Sequence, residues 1–327
     1  VIEQVQESIA ESFDIYGCKF YLGASIGISI YPDDALDANS LLRNADITTF
    51  RVKREGGKQF RFYNADMNVR LDERLALDHA MRQALPNREF LLHYQPQIDM
   101  ATGEVSAVEA LVRWNRGHNK MVTPFEFIPL AEETGFIVPL GEWVLRNACA
   151  QTAKWHAQGF DKLRITVNLS ARQFYQRNLI PLVESILSHC GLKPEYLELE
   201  ITETAIIQDA KMALSSLNQL GELGVKVALD DFGTGYSSLS HLKDFMVDTL
   251  KIDRSFISGI PTNKDASAIT AAVIAMADKL NIRVVAEGVE TQEQYDFLKE
   301  HGCQFVQGYL LGRPVPADDV SLTEKAQ

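Results

Sequence analysis

Two carboxylates stand side by side at Asp230-Asp231, and a lysine and an aspartate stand two apart at Lys251 and Asp253. Adjacent carboxylates repel, and each ordinarily turns to water. At the end of a strand the turning backbone can instead aim both at one place, where a pair of cations about 3.5–4 Å apart relieves the repulsion. Residues two apart on a strand face the same side, so Lys251 shares a face with Asp253. An ion pair between them is the plain reading. Beside divalent cations the ammonium form is disfavoured, and the lysine could position an attacking water or help deprotonate it. Gly233-Thr234-Gly235 follows the two aspartates and permits a sharp reversal and a mobile loop, although glycine-rich turns occur in every fold.

Further oxygens fall at the ends of other apolar runs: Glu109, Asn168, Glu200, Glu287 and Gln307. Any one of them can be explained as a polar residue where a strand meets solvent; the convergence of the whole set is what points to a site. Carboxylates and an amide, without His or Cys, suit a hard cation such as Mg²⁺ or Mn²⁺ rather than zinc. The seven histidines show no His-x-His or His-Glu-x-x-His spacing. His93 and His241 lie near these motifs and read as structural or surface residues. Arg113, four after Glu109 on the same strand face, is placed to grip a phosphate.

These residues need a scaffold that brings strand ends together. After residue 88, short apolar strands alternate with helical stretches, the pattern of a parallel sheet wrapped by helices. Eight strands are predicted, at 90–98, 104–114, 164–170, 197–202, 226–230, 247–253, 283–288 and 304–309, with amphipathic helices at 210–223 and 266–280. Eight strands with intervening helices imply a TIM-type (β/α)8 barrel, whose active sites lie at the C-terminal strand ends. Only residues 99–103 separate the first two strands, too few for a parallel crossover. The first strand must therefore run antiparallel to the second, with Thr102-Gly103 in the turn. Upstream, 21–31 alternates like a strand, 40–52 reads as a helix, Gly56-Gly57 turns the chain into a strand at 59–63, and 70–85 has helical spacing that suits a connector. The fold class is thus an α/β barrel with an antiparallel first strand, preceded by a small α/β fragment.

A length of 327 residues accommodates one such barrel plus a small segment. A net charge of -12 argues against tracking the backbone of long nucleic acids, yet carboxylates that hold cations can still bind a small phosphodiester. Cys18, Cys149, Cys190 and Cys303 are widely separated, which indicates neither a zinc ribbon nor a disulfide framework and suits a reducing cytoplasm. No apolar run approaches the roughly 20 residues of a membrane span. The first residue is Val1 rather than Met, which suggests part of a longer protein, in which any upstream sensor or membrane domain would lie outside this chain.

The motifs together resemble the EAL-domain family. Glu109-Ala110-Leu111 with Val112-Arg113-Trp114 is similar to its signature, and Tyr94-Gln95-Pro96, Val167-Asn168-Leu169-Ser170, Glu200-Ile201-Thr202-Glu203, Asp230-Asp231-Phe232-Gly233-Thr234-Gly235, Lys251-Ile252-Asp253, Glu287-Gly288-Val289-Glu290 and Gln307-Gly308-Tyr309 follow in the family's order. The resemblance implies a phosphodiesterase that uses two Mg²⁺ or Mn²⁺ ions to open cyclic di-GMP to linear pGpG. Glu109, Asn168, Glu200 and Asp230 would hold one ion, and Asp230, Asp231 and Asp253 the other. Lys251 would contact the attacking water, with Glu287 and Gln307 supporting the network. Arg113 and Gln95 would contact the substrate; Glu203 would anchor the loop that begins at Asp231, and Glu290 would have a supporting role. A homodimer is the family's expectation. Gln304 and Met246 depart from the family pattern at positions outside this set.

Residues 1–66 resemble the closing part of a GGDEF domain, from Ala24-Ser25-Ile26-Gly27 through Leu41-Leu42-Arg43-Asn44-Ala45-Asp46 to Phe62-Tyr63. The loop that would perform cyclisation is absent, and Lys58 follows Gly56-Gly57 where the family has Asp. Residues 67–85 then form a connecting helix and 86–327 the EAL domain. Two other readings stand beside the enzyme: a receptor that binds cyclic di-GMP without cleaving it, and a barrel enzyme for another phosphate ester, which rests on fold alone.

Overall fold

Alternation along the strands decides the architecture, because successive side chains point to opposite faces of a sheet. In a computed structural model of the chain, residues 2–10, 12–15, 18–20, 22–54, 57, 59–64, 66–117, 121–207, 209–233, 245 and 247–322 are described. Two compact units meet between Ala80 and Met81, within the helix Asp66–Ala84.

The first unit contains the helix Ile2–Ala10, an antiparallel pair β1 (Phe13–Ile15) and β2 (Cys18–Phe20), and a parallel pair β3 (Ile26–Ile28) and β4 (Phe60–Phe62) joined through the helix Ala38–Arg54. The strand expected over 21–31 is thus only three residues long within that span. Its partner among the described residues is β4, itself three residues, and their ladder is no longer than the shorter strand. Helix and strand meet at Gly27, whose N–H donates to Thr49 Oγ1 at 2.9 Å. A Cβ there would stand 2.1 Å from the Ala45 carbonyl oxygen, so only glycine permits this approach. Gly57 takes a positive φ of 65° in the expected turn; Gly56 lies outside the described residues.

In the second unit β5 (Phe90–Asp99) and β6 (Val105–Asn115) pair antiparallel, as the short connection requires. β7 (Met121–Val122) adds a short antiparallel edge to β6. Then β8 (Arg164–Asn168), β9 (Leu197–Thr202), β10 (Lys226–Phe232), β11 (Thr249–Ile252), β12 (Arg283–Glu287) and β13 (Phe305–Gln307) pair in parallel sequence. β6 joins β8 in parallel, and β5 closes the ring by pairing antiparallel with β13. The result is the eight-stranded barrel with an antiparallel first strand.

Four strands stop short of their expected ends, at Asn168, Ile252, Glu287 and Gln307, and in the first two a polar residue leaves the ladder to cap a helix. Ser170 forms a capping box with Gln173 at the start of the helix Ala171–Phe174. Asp253 accepts from the Ser255 N–H at the start of the helix Arg254–Ile257. The expected helix 210–223 is observed as Ala210–Leu223, capped by Asp209; the helix expected at 266–280 runs Lys264–Lys279.

Outward strand positions are apolar and buried: Val108, Ile165, Val167, Leu197, Leu199, Ile201, Val227, Leu229, Leu250, Ile252, Val284, Ala286 and Val306. They pack under Leu145, Ala148 and Cys149 of the helix Ile137–Ala157, Val183 and Ile186 of Leu179–Cys190, and Leu217 and Leu220 of Ala210–Leu223. Each fully buried aliphatic side chain here contributes on the order of 1.5–3 kcal/mol. The alternate positions point into the barrel and are largely polar: Gln95, Gln97, Glu109, Thr166, Glu198, Glu200, Asp230, Thr249, Lys251 and Gln307 are all buried. Among the described residues no helix is long and apolar enough to cross a membrane.

Candidate active site at the parallel strand ends

Lys251, 1% exposed, stands among four carboxylates. Its Nζ lies 2.5 Å from Glu287 Oε1, 2.7 Å from Glu200 Oε2, 3.4 Å from Asp230 Oδ1 and 4.0 Å from Glu109 Oε1. Strands β6, β9, β10, β11 and β12 each supply one member, all from inward positions. Burial pulls the lysine's pKa down, but the charges of Asp230, Glu109, Glu200 and Glu287 outweigh it and hold the ammonium well above its usual range. The four carboxylates thus favour the ammonium form, which donates to them. Lys251 makes these four contacts in place of the ion pair with Asp253 that is the plain alternative to its water-positioning role, because Asp253 has passed the strand end and turned into its cap.

One ammonium does not neutralise four carboxylates, and the protonation equilibria record the shortfall. Glu287 is pushed up to about 8 by burial, against which Lys251 acts, with Asp230 and Glu109 adding to the rise. Glu200 is raised well above the usual carboxylate range by burial and then by Glu109. Glu109 alone is lowered: burial opposes its charge, but Lys251 and hydrogen bonds from Gln307 and Asn168 prevail. Asn168 Nδ2 donates to Glu109 Oε1 at 2.6 Å.

A ladder of glutamines supports Glu109 from the side. Gln307 Nε2 donates to Glu109 Oε2 at 2.5 Å and to Gln95 Oε1 at 3.1 Å, Gln97 Nε2 donates to Gln307 Oε1 at 3.0 Å, and Gln95 Nε2 donates to the Gly312 carbonyl at 3.0 Å. Both ends of the Gln95 amide are thus engaged by protein. Gln97 escapes the sequence reading, although it lies two residues after Gln95 and so on the same face.

Asp231 adopts a positive φ of 55°, a left-handed turn that Asp tolerates better than most residues. The turn carries its side chain away from that of Asp230, whose Oδ1 accepts from the Asp231 N–H at 3.0 Å. Partial burial raises the Asp231 pKa, followed by the charges of Asp230 and Asp253, so the three aspartates form a second electronegative centre. Glu203 is buried at the start of the helix Glu203–Ile207, and neither carboxylate oxygen has a hydrogen-bond partner among the described residues. Thr234 and Gly235, in the loop it was expected to anchor, lie outside the described residues, as do His241 and Met246. Glu290 Oε1 pairs with the Arg254 guanidinium at 2.9 Å. His93 Nδ1 contacts the Pro314 carbonyl at 3.3 Å, a structural role. Gln304 Oε1 accepts from the Val284 N–H at 2.7 Å, a bond that a carboxylate oxygen would make equally well.

Two cavities open on this cluster. One, of about 220 Å³, is lined by Gln95, Glu109, Asp230, Lys251, Glu287 and Gln307, with Arg254, Glu290 and Tyr309 at its side. The other, of about 290 Å³, is lined by Arg113, Asn168, Ser170 and Glu200 among others. Leu111 lines both. Arg113 is half-buried, with one guanidinium N–H on the Val112 carbonyl at 2.9 Å. A larger hollow of about 740 Å³ lies beside Pro96, Leu311 and Val320, and none of the clustered carboxylates lines it.

The donor chemistry fits hard divalent cations. Oxygen ligands converge, the Glu200 Oε1 atom is buried without a hydrogen-bond partner, and the raised pKa values of Glu200 and Glu287 mark a site short of positive charge. Among the described residues no three such donors are already spaced to share one ion; the cation they face is Lys251.

The comparisons agree with this geometry. The EAL-domain family model matches residues 78–314. The bifunctional diguanylate cyclase/cyclic di-GMP phosphodiesterase MucR of Pseudomonas aeruginosa is 42% identical over 97% of this chain and 46% of its own length. The cyclic di-GMP phosphodiesterase PdeR of Escherichia coli is 39% identical over 91% of this chain and 45% of its own. The chain thus spans less than half the length of these relatives. A solved MucR phosphodiesterase in complex with c-di-GMP is 46% identical, with a TM-score of 0.72 over 74% of this chain and 98% of that one. With its signature residues gathered at one mouth of the barrel and the family model matching most of its length, the chain belongs to the EAL-domain family.

Proposed function

We propose that the barrel hydrolyses one phosphodiester bond of cyclic di-GMP, giving linear pGpG, with two Mg²⁺ or Mn²⁺ ions. The observation that carries this reading is the buried Lys251 ammonium ringed by Glu109, Glu200, Asp230 and Glu287 at the strand ends, beside cavities that also present arginines. Relatives named as cyclic di-GMP phosphodiesterases support the substrate.

Glu109, Asn168, Glu200 and Asp230 would hold one ion, and Asp230, Asp231 and Asp253 the other. When bound, the ions polarise a phosphoryl oxygen and make water a stronger nucleophile near neutral pH. Lys251 contacts the attacking water and positions it toward phosphorus. Glu287 holds Lys251 in place, and Gln307 holds Glu109. Arg113 grips a phosphate oxygen. Glu203 anchors the loop that follows Asp231. Gln95 acts through the glutamine ladder and reaches substrate only if that ladder opens. The oxygen of water bonds to phosphorus as the bond to the 3′ oxygen breaks, and the proton that the water loses is balanced by the one the 3′ oxygen gains, so a 5′-phosphate and a 3′-hydroxyl result.

Residues 1–66 are proposed as the closing part of a GGDEF-like domain, which the parallel β3–helix–β4 unit supports, with 67–85 as a connecting helix and 86–327 as the EAL domain. Further domains upstream, a homodimer and a cytoplasmic setting belong to the same proposal.

Incubating the protein with cyclic di-GMP and chromatographing the products tests the reading. Mg²⁺ or Mn²⁺ should support formation of pGpG, EDTA should abolish it, and Ca²⁺, with its longer and looser coordination, should support it poorly. Full activity in excess chelator would refute the metal assignment. Binding by calorimetry in Ca²⁺ with no cleavage in Mg²⁺ would make the protein a receptor instead.

A further inference from the structure

We propose that Arg254 is a second phosphate-binding residue, parked by Glu290 until a cyclic dinucleotide arrives, and that it takes the phosphodiester not being cleaved. The inference rests on the phosphodiesterase reading and extends it to a residue outside the motif set.

Among the described residues, three cationic side chains line the two cavities: Lys251, Arg113 and Arg254. Lys251 faces the carboxylates and, in the proposed reaction, the attacking water, which leaves it no part in holding the second phosphodiester. Arg113 follows the inner face of β6, and Arg254 follows β11 directly. Around the eight-stranded ring these two strands are four steps apart in either direction, so the guanidiniums stand on opposite sides of the carboxylate cluster. A ligand with two phosphodiesters on one ring needs one cationic contact on each side of the reaction centre. Arg313, a further arginine nearby, lies 4.3 Å from the Tyr309 ring centroid and lines the separate, larger hollow.

The setting of Arg254 fits exchange between partners. Its ion pair with Glu290 is exposed, the side chains being 60% and 40% accessible, and exposed pairs hold loosely. A phosphate offers a charge-assisted, bidentate partner for the same planar fork. The aliphatic stem is fixed more firmly than its head. It lies across Gly288, where a Cβ would come within 2.4 Å of Arg254 Cγ and where φ is +71°. Gly288 thus leaves the groove in which the arginine stem rests, directly after Glu287.

Steady-state kinetics of Arg254→Ala, Arg254→Lys, Glu290→Gln and Gly288→Ala test this, each with cyclic di-GMP and with bis(p-nitrophenyl) phosphate, which has a single phosphodiester. Loss of one charge-assisted bond should raise the KM of Arg254→Ala for cyclic di-GMP about 10- to 100-fold, with kcat within about threefold. KM for the small diester should stay within twofold. Arg254→Lys should recover part of the loss, Gly288→Ala should resemble Arg254→Ala, and Glu290→Gln should lower KM about two- to fivefold by removing the competing carboxylate. A cyclic di-GMP KM within twofold of wild type in Arg254→Ala overturns the proposal, as does an equal loss on both substrates, which would mark a structural role. If the wild type binds cyclic di-GMP in Ca²⁺ but does not cleave it, the dissociation constant of each variant gives the same decision while the enzyme reading fails. Neither binding nor cleavage by the wild type refutes both.

Discussion

Replacing Lys251 with methionine keeps most of the side-chain volume and deletes the charge at the centre of the site. The native carboxylates would then have to keep protons that the unfolded chain releases near 4.5. Glu287 and Glu200 already have raised pKa values; without the ammonium, Glu109 loses the partner that favours its ionised form. A carboxylic acid with a raised pKa makes the native state bind more protons than the unfolded one, so stability falls as pH rises from the unfolded value toward the folded one. At pH 7.5 one additional carboxylate held protonated costs about 4 kcal/mol, three pH units at about 1.36 kcal/mol each. That matches the roughly 3–5 kcal/mol expected when one partner of a buried ion pair is removed. In a unit of this size each kcal/mol lowers Tm by about 2–4 °C, so chelated Lys251→Met should melt about 6–20 °C below wild type at pH 7.5. At pH 5 only about half a unit separates the solution from the unfolded value, and the gap should shrink to about 3 °C or less. Melting curves by circular dichroism at both pH values, in chelator, measure this. An equal gap at the two pH values, or one below about 3 °C at pH 7.5, would show that the lysine does not carry the cluster's charge balance.

Gln307→Leu should remove the donor from Glu109 Oε2 and the acceptor from Gln97 Nε2, costing about 1–3 kcal/mol in urea titrations and lowering kcat about 10- to 100-fold; a kcat within twofold of wild type would place Gln307 outside the mechanism. Gly27→Ala would push a methyl onto the Ala45 carbonyl and the Thr49 amide, backbone atoms that cannot turn aside. Calorimetry should show the first unit destabilised by about 1–3 kcal/mol while the transition of the barrel unit stays put, and a shift of both transitions together would show that the two units unfold as one.

Local rules made much of this molecule readable in advance. A gap of five residues excludes a parallel crossover, so the antiparallel start of the barrel follows from chain geometry alone. Position at the ends of the predicted strands gathered Glu109, Glu200, Asp230 and Lys251 on one rim, and a donor set of oxygens without His or Cys pointed to a hard cation. Alternation says which face a residue is on, but not which strands are neighbours or which lie across the ring. Closure of β5 onto β13 brings Gln97 against Gln307, 210 residues away. The ring places Arg254 opposite Arg113, and the chain's exit from β11 makes Asp253 a helix cap where spacing alone suggested a partner for Lys251. The charge state of Lys251 was likewise decided in three dimensions. Burial alone lowers a lysine pKa, and only the four carboxylates delivered by four other strands reverse that sign, because Coulomb energy depends on distance through space and not on separation along the chain.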